Sequence, residues 1–594
     1  MRFIGKAFLF LFAFVGMLSS LGIVLVVLLV GNLVEDQETV PDDRGLLTFS
    51  IDGPLPERPT ASDPLSALLE DGPRPTLREV TEALAAAATD PNVQGLLVHL
   101  GAGPGPRMAQ AQELREAILA FRASGKPTVV QAETIGEFGE GTVPYYIASA
   151  FETIWLQPSG MVAMTGFSMD VPFLRGLLDD LGIEPEVIAR KEYKNAASSL
   201  TDYTMSLDQR VALGAILDGW TTQVVQAIAD ERGLETARVR ALVDQAPLLA
   251  REALDAGLVS GLGYRDEAEA ALHEATGTDT HIPLVRYAQG LANQEVTPES
   301  RRVALIQAAG PIVLGDGKVG PLDTDEIDSL ALAATIREAV NDPDISAIVL
   351  RIDSPGGSYV GSDIVWRAMA EAQEKGMPIV ATMGDTAASG GYFIAMGADR
   401  IIAQPGTLTG SIGVLAGKVS LAKASEDLNI RWSRVSRGAN ADLFSPARPF
   451  DARGRERMDA ILDAIYADFT TKAAAERGLS PEAMEEAARG RVWLGSDAVA
   501  RGLVDELGGL SLAFLRAREL AGLATDTPLD VVPFPQDDTP EWLKGALGMA
   551  RRAEGLSAVL GVAKTVESIL GPEMATLRAM DAGPLSSPLA ARTR

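Results

Sequence analysis

Cysteine is absent from the 594 residues, and histidine occurs only as His99, His273 and His281. The first absence excludes thiol nucleophiles, cysteine-bound metals and disulfides. It leaves the compartment open, because large domains are stable without crosslinks. The second leaves few bases for a Ser-His-Asp triad, all in the first half of the chain. Positive charge is also scarce: 52 Lys and Arg stand against 80 Asp and Glu, a formal net charge of −28. Nucleic acid is therefore an unfavourable partner, since its phosphates would be repelled. What remains is 47% hydrophobic and 22% charged, an ordinary folded composition, on a chain long enough for two or more domains.

Charge is missing altogether from Ala7 to Gly31, 25 residues preceded by Arg2 and Lys6 and followed by Glu35 and Asp36. As a helix this run measures roughly 37 Å, enough to span a bilayer core with some tilt. Basic residues before it place the N-terminus in the cytoplasm and the rest of the chain outside. The run exceeds a usual signal-peptide core, and no small-x-small cleavage site follows it. The reading is an uncleaved single-pass anchor in residues 1–44, with its helix at about 7–31.

The remainder is written twice. LREVTEALAAAATDPNVQGLLVHL (77–100) resembles LAATIREAVNDPDISAIVLRI (332–352), with Asp90-Pro91 opposite Asp342-Pro343. KPTVVQA (126–132) then matches MPIVATM (377–383), and YYIASAFETIWLQPSG (145–160) matches YFIAMGADRIIAQPGT (392–407). Helical patterns alternating with short apolar strands indicate an α/β fold in each repeat. The repeats are placed at 45–300 and 301–540, with a helical and partly disordered tail at 541–594.

The halves differ where chemistry would sit. GDTAASGGYF (384–393) displays Ser389 before two glycines, whereas its counterpart FGEGT (138–142) has no serine and runs on into Val143-Pro144. Proline has no N–H to offer an oxyanion. RIDSPGGS (351–358) is a glycine turn whose counterpart HLGAGPGPR (99–107) is interrupted by prolines. Two glycine turns after adjacent strands can aim N–H groups at one point. Conversely, ARKEYKNAASSL (189–200) carries Lys191 and Lys194, while the second half has no lysine between Lys423 and Lys472. Complementary losses across a duplication point to one composite site with a piece from each half. A histidine base reached only through folding stays open at this point.

DSPGGS, GDTAASGGYF, GTLTGSIG and EYKNA, on a duplicated chain behind an apolar N-terminal run, resemble the signal peptide peptidase A family in its long, double-domain form, serine protease family S49. The resemblance implies tandem crotonase-like α/β domains related to the Clp protease fold. It implies a Ser-Lys dyad with Ser389 as nucleophile and Lys194 as base, and with Ser411 orienting the lysine. The oxyanion donors it implies are the N–H of Gly390 and of Gly356 or Gly357. It further implies a homotetramer on the outer, periplasmic face of the cytoplasmic membrane, cleaving signal peptides and similar apolar peptides. No motif calls for a metal or an organic cofactor. Two other readings remain: a crotonase-fold enzyme of acyl-CoA thioesters, and a membrane-tethered scaffold without catalysis.

Overall fold

A computed structural model describes residues 43–58, 75–293, 297–315 and 326–536, together with the short strand Leu585–Ser586. The expected membrane helix at 7–31 and most of the tail after 540 lie outside these residues. Among the described residues no helix is long and apolar enough to cross a membrane.

The chain is mixed α/β, with one large sheet from each repeat. The first sheet has six parallel strands in the order Gly261–Leu262, Thr153–Leu156, Thr128–Ala132, Val93–Leu100, Gly45–Ile51, His281–Pro283. The second repeats this core as Glu506–Leu507, Arg400–Ala403, Ile379–Ala388, Ile345–Ser354, Arg301–Ala309, Leu529–Phe534, again parallel. It adds Leu408–Gly410, parallel to the end of Ile379–Ala388, and Val492–Leu494, antiparallel to that addition. These strands read as almost unbroken apolar runs because helices cover both faces. Ile379–Ala388 is buried along its whole length.

Local chemistry sets the same boundaries in both halves. Helix Leu77–Thr89 opens on a capping box between Thr76 and Glu79, and helix Ser329–Asn341 opens on the Asp328 carboxylate. Each ends at an aspartate before proline. The proline ring drives the preceding residue out of the helical region, and Asp90 and Asp342 take ψ of 118° and 114°.

The halves are fused by a seam distant in sequence. Strand Glu184–Ala189 of the first half pairs antiparallel with Leu415–Ser420 of the second. Arg351 adds a buried charge cluster: its guanidinium meets Glu57 at 3.0 and 3.1 Å and Glu113 at 3.0 Å, both from the first half. Burial alone would lower the Arg351 pKa, but the Glu113 and Glu57 carboxylates outweigh it and raise it.

Candidate active site

Strand Ile379–Ala388 and its parallel neighbour Leu408–Gly410 end level with each other, and Ser389 follows at that point. Its amide donates to Gly410 O at 2.7 Å, and its own carbonyl accepts from Phe393 N at 2.9 Å to start helix Gly390–Ala395. The turn forces Ser389 to φ 57°, ψ −114°, a conformation that costs a side-chain-bearing residue about 1–3 kcal/mol. Glycine follows for a steric reason: a Cβ at Gly391 would lie 2.6 Å from Ser354 O.

Lys194 arrives from the first half. Strand Glu184–Ala189 leaves the seam through Arg190 N–H donating to Val414 O, and Tyr193 N–H donates to Arg489 O. The lysine stem then passes Gly490, where a Cβ would meet Lys194 Cβ at 2.6 Å. The amine reaches Ser389 Oγ at 2.7 Å, Ser411 O at 2.9 Å and Ser411 Oγ at 3.1 Å. Lys194 is 4% exposed and Ser389 fully buried. Burial pushes the Lys194 pKa well below the ordinary lysine range, and no carboxylate forms an ion pair with it among the described residues. A neutral amine has two N–H groups and one lone pair. The amine donates to all three oxygens as placed; once neutral, it keeps two N–H groups for Ser411 O and Oγ and can turn its lone pair to the Ser389 hydroxyl.

The glycine turn after strand Ile345–Ser354 packs on the same spot. Gly357 N lies 3.0 Å from where a Cβ of Gly390 would stand. Gly356 N already donates to Ser354 Oγ at 3.2 Å, so of the two glycines Gly357 is the one whose amide has no such side-chain partner.

Ser389, Lys194, Ser411, Gly390, Gly356 and Gly357 therefore lie together, while the histidines lie elsewhere. His99 bonds Gln131 within the first sheet, and His273 and His281 face each other at 3.1 Å. In the first half the residue opening the corresponding helix, Thr142–Ala148, is Gly141, and Thr142 Oγ1 is spent on Gly166 O. Among the described residues no cluster of three or more His, Asp or Glu could hold a metal ion.

Sequence reasoning missed a buried carboxylate pair behind the nucleophile. Asp385 accepts from Ala109 N and Gln110 N of the first half, and Asp353 accepts from Thr386 N. Burial first, then the Asp353 charge, push Asp385 up to about 7 against a lowering by Arg107. An acid whose folded pKa is raised binds more protons folded than unfolded, so its stabilisation is full below about pH 4 and fades as pH rises through 7. Asp385→Asn keeps the acceptor oxygen and should flatten this slope, gaining on the order of 2 kcal/mol at pH 8 relative to wild type. Chemical unfolding at pH 5 and pH 8 measures it; an unchanged slope refutes the assignment.

A family model described as peptidase family S49 matches residues 120–279 and 371–524, one stretch in each repeat. The chloroplastic serine protease SPPA of Arabidopsis thaliana is 31% identical over 88% of this chain and 75% of its own length. Protease 4 of Salmonella typhi is 30% identical over 83% of this chain and 81% of its own. A putative signal peptide peptidase SppA from Enterococcus faecium is 27% identical over 42% of this chain and 72% of its own. A family model that matches both repeats over more than half of the chain, and relatives of 30–31% identity that span 83–88% of it, make this protein a member of peptidase family S49, a protease.

Proposed function

We propose that the protein is a serine endopeptidase with a Ser389–Lys194 dyad, acting on signal peptides and other apolar peptides beside the outer face of the cytoplasmic membrane. The observation that carries this reading is the buried 2.7 Å contact between Lys194 Nζ and Ser389 Oγ. A lysine in water is almost wholly protonated at pH 7, and holding it neutral there costs about 4–5 kcal/mol. Burial without a counter-charge supplies that bias.

Neutral Lys194 takes the Ser389 proton as Oγ bonds to the scissile carbonyl carbon. The oxyanion is held by the N–H of Gly390 and Gly357, each worth about 3 kcal/mol. Protonated Lys194 then gives its proton to the leaving amine as the C–N bond breaks. Water repeats the sequence on the acyl-serine, with the same lysine as base, and releases the acid. Ser411 orients the amine throughout. The edge at Gly356–Gly357 supports an extended substrate, since it accepts an antiparallel strand from the chain's own Leu585–Ser586. Each repeat is read as a crotonase-like domain, and residues 7–31 as the anchor that keeps the site near apolar peptides.

A serine-directed phosphonate probe should label wild type at Ser389, and a synthetic signal peptide should be cleaved. Ser389→Ala should lose both. Because one chain supplies both groups, mixing Ser389→Ala with Lys194→Ala chains should restore no cleavage. Recovery in the mixture would assign the lysine to a neighbouring chain; labelling that survives Ser389→Ala would remove Ser389 as nucleophile.

A further inference from the structure

A buried lysine without a counter-charge is driven towards water whenever it gains a proton. The arm that carries Lys194 must therefore be fastened against that drive. The fastening is charged and lies on the residues just before the lysine, each of which meets the second half. Arg190 reaches Asp459 at 2.8 Å and Asp463 at 2.5 Å, and Lys191 reaches Glu485 at 2.7 Å. Glu192 pairs with Arg489. The Tyr193 ring faces the guanidinium groups of Arg489 and Arg491, 5.9 and 5.2 Å from its centre. Lys191 and Arg489, on opposite sides of this contact, are both left-handed, with φ of 70° and 55°, although neither is glycine.

Arg489 is the centre of this fastening. It stands in the loop between helix Pro481–Ala487 and strand Val492–Leu494. Its side chain holds Glu192, its carbonyl accepts from Tyr193 N at 3.2 Å, and its amide donates to Tyr466 Oη at 3.3 Å. Tyr466 in turn donates to Glu485, the partner of Lys191, at 2.8 Å. The next two residues reach the catalytic groups themselves. Gly490 packs on the Lys194 backbone, where a Cβ would lie 2.6 Å from Lys194 N. Arg491 O accepts from Ser411 N at 2.7 Å. One short loop thus touches both the lysine arm and the serine that orients the amine.

The duplication shows that these residues go with the chemistry. Helices Arg175–Asp180 and Ala422–Asp427 are counterparts 247 residues apart, and helices Leu207–Arg232 and Ala452–Arg477 are counterparts 245 apart. The first step sets RKEYK (190–194) opposite RGANA (437–441), and the second sets RGR (489–491) opposite DQA (244–246). The arm without the lysine lacks Glu192 and Tyr193 as well, and the half without the serine lacks the arginine loop. We infer that Arg489 is a positioning residue for the reaction: by holding Glu192 and Tyr193 it seats the Lys194 amine between Ser389 and Ser411 and keeps water from it. The inference rests on the Ser389–Lys194 reading above. Without the arginine the arm loosens outward, the amine meets water and binds a proton more readily. The Gly356–Gly357 edge is untouched, so the loss falls on kcat and not on KM.

The test uses the full chain in detergent and a synthetic signal peptide. Arg489→Ala should lower kcat about tenfold at pH 7, the combined worth of an exposed ion pair and a cation–ring contact, with KM and Tm unchanged. The acid limb of its rate profile, where activity appears as Lys194 loses its proton, should move to higher pH, so that the variant approaches wild type in alkaline solution. A packing defect would lower the curve without moving that limb. Arg489→Lys, which keeps the charge, should lose less. Arg489→Glu combined with Glu192→Arg should recover much of what either change loses alone. Lys194→Ala, assayed alongside, separates the two readings. If it is inactive while Arg489→Ala matches wild type, or loses activity equally at every pH, the arginine assignment fails and the dyad stands. An active Lys194→Ala removes the dyad, and the assignment with it.

Discussion

Lys194→Met should lower peptide hydrolysis by roughly 10,000-fold, the upper range for loss of a general base, while making the folded protein more stable. Both halves of the result have one cause. Lys194 is buried with only Ser389 and Ser411 as polar partners, and burial holds its pKa well below the ordinary lysine range. The unfolded chain binds a proton at that amine up to about pH 10.4, and the folded chain releases it at lower pH. Between those two values the unfolded state binds more protons, so wild-type stability rises with pH. A methionine of similar shape carries no such penalty and should gain about 1–3 kcal/mol at pH 7, with the gain shrinking towards pH 10. Hydrolysis by wild type should rise as pH passes through the depressed pKa. Unfolding curves and cleavage rates across pH 6–10 measure both. A variant that keeps its activity, or is less stable than wild type throughout, would remove Lys194 as the neutral base.

The composite nature of this site was legible before any coordinates because duplication supplies an internal control. A serine kept in one repeat and a lysine kept in the other are visible as complementary differences at matched positions. The Asp-Pro helix ends and the buried strands were legible for a simpler reason, since each follows from neighbours within a few residues. The seam was not. Leu415–Ser420 reads LAGKVS, with glycine and lysine interrupting any strand pattern, and it extends only because Glu184–Ala189 lies against it. Partners more than two hundred residues apart leave no local trace. The same holds for Glu57, which lies in a segment without regular structure, and for Glu113, on a helix face buried against the other half. One signal was available: a single arginine in the otherwise apolar run AIVLRI, whose counterpart in the first half is His99. A charge at that depth demands a partner, although the sequence does not say which carboxylate supplies it.

That partnership underlies the second large effect. Arg351→Met should destabilise the protein by about 3–5 kcal/mol, the cost of leaving buried charge unpaired. The guanidinium is 2% exposed and meets Glu57 and Glu113, while Glu113 also accepts from Leu510 N at 2.7 Å and so cannot turn away to solvent. Burial pushes Glu57 up, and Arg351 more than offsets that, leaving its pKa below the usual carboxylate value. Without the arginine this balance reverses. The Glu57 carboxylate would then bind a proton more readily folded than unfolded, so the variant should lose stability as pH rises above about 4.3. Its deficit relative to wild type should be larger at pH 8 than at pH 5. Adding Glu57→Gln and Glu113→Gln should recover much of the loss, which separates unpaired charge from a packing defect. Chemical unfolding of the three proteins at both pH values decides it; a pH-independent deficit, or no recovery in the triple variant, would show that Arg351 acts by volume alone. Activity should follow stability here. The arginine ties two first-half carboxylates to the strand that carries the glycine turn, three residues before Ser354, and thereby holds the half that brings Lys194 against the half that brings Ser389.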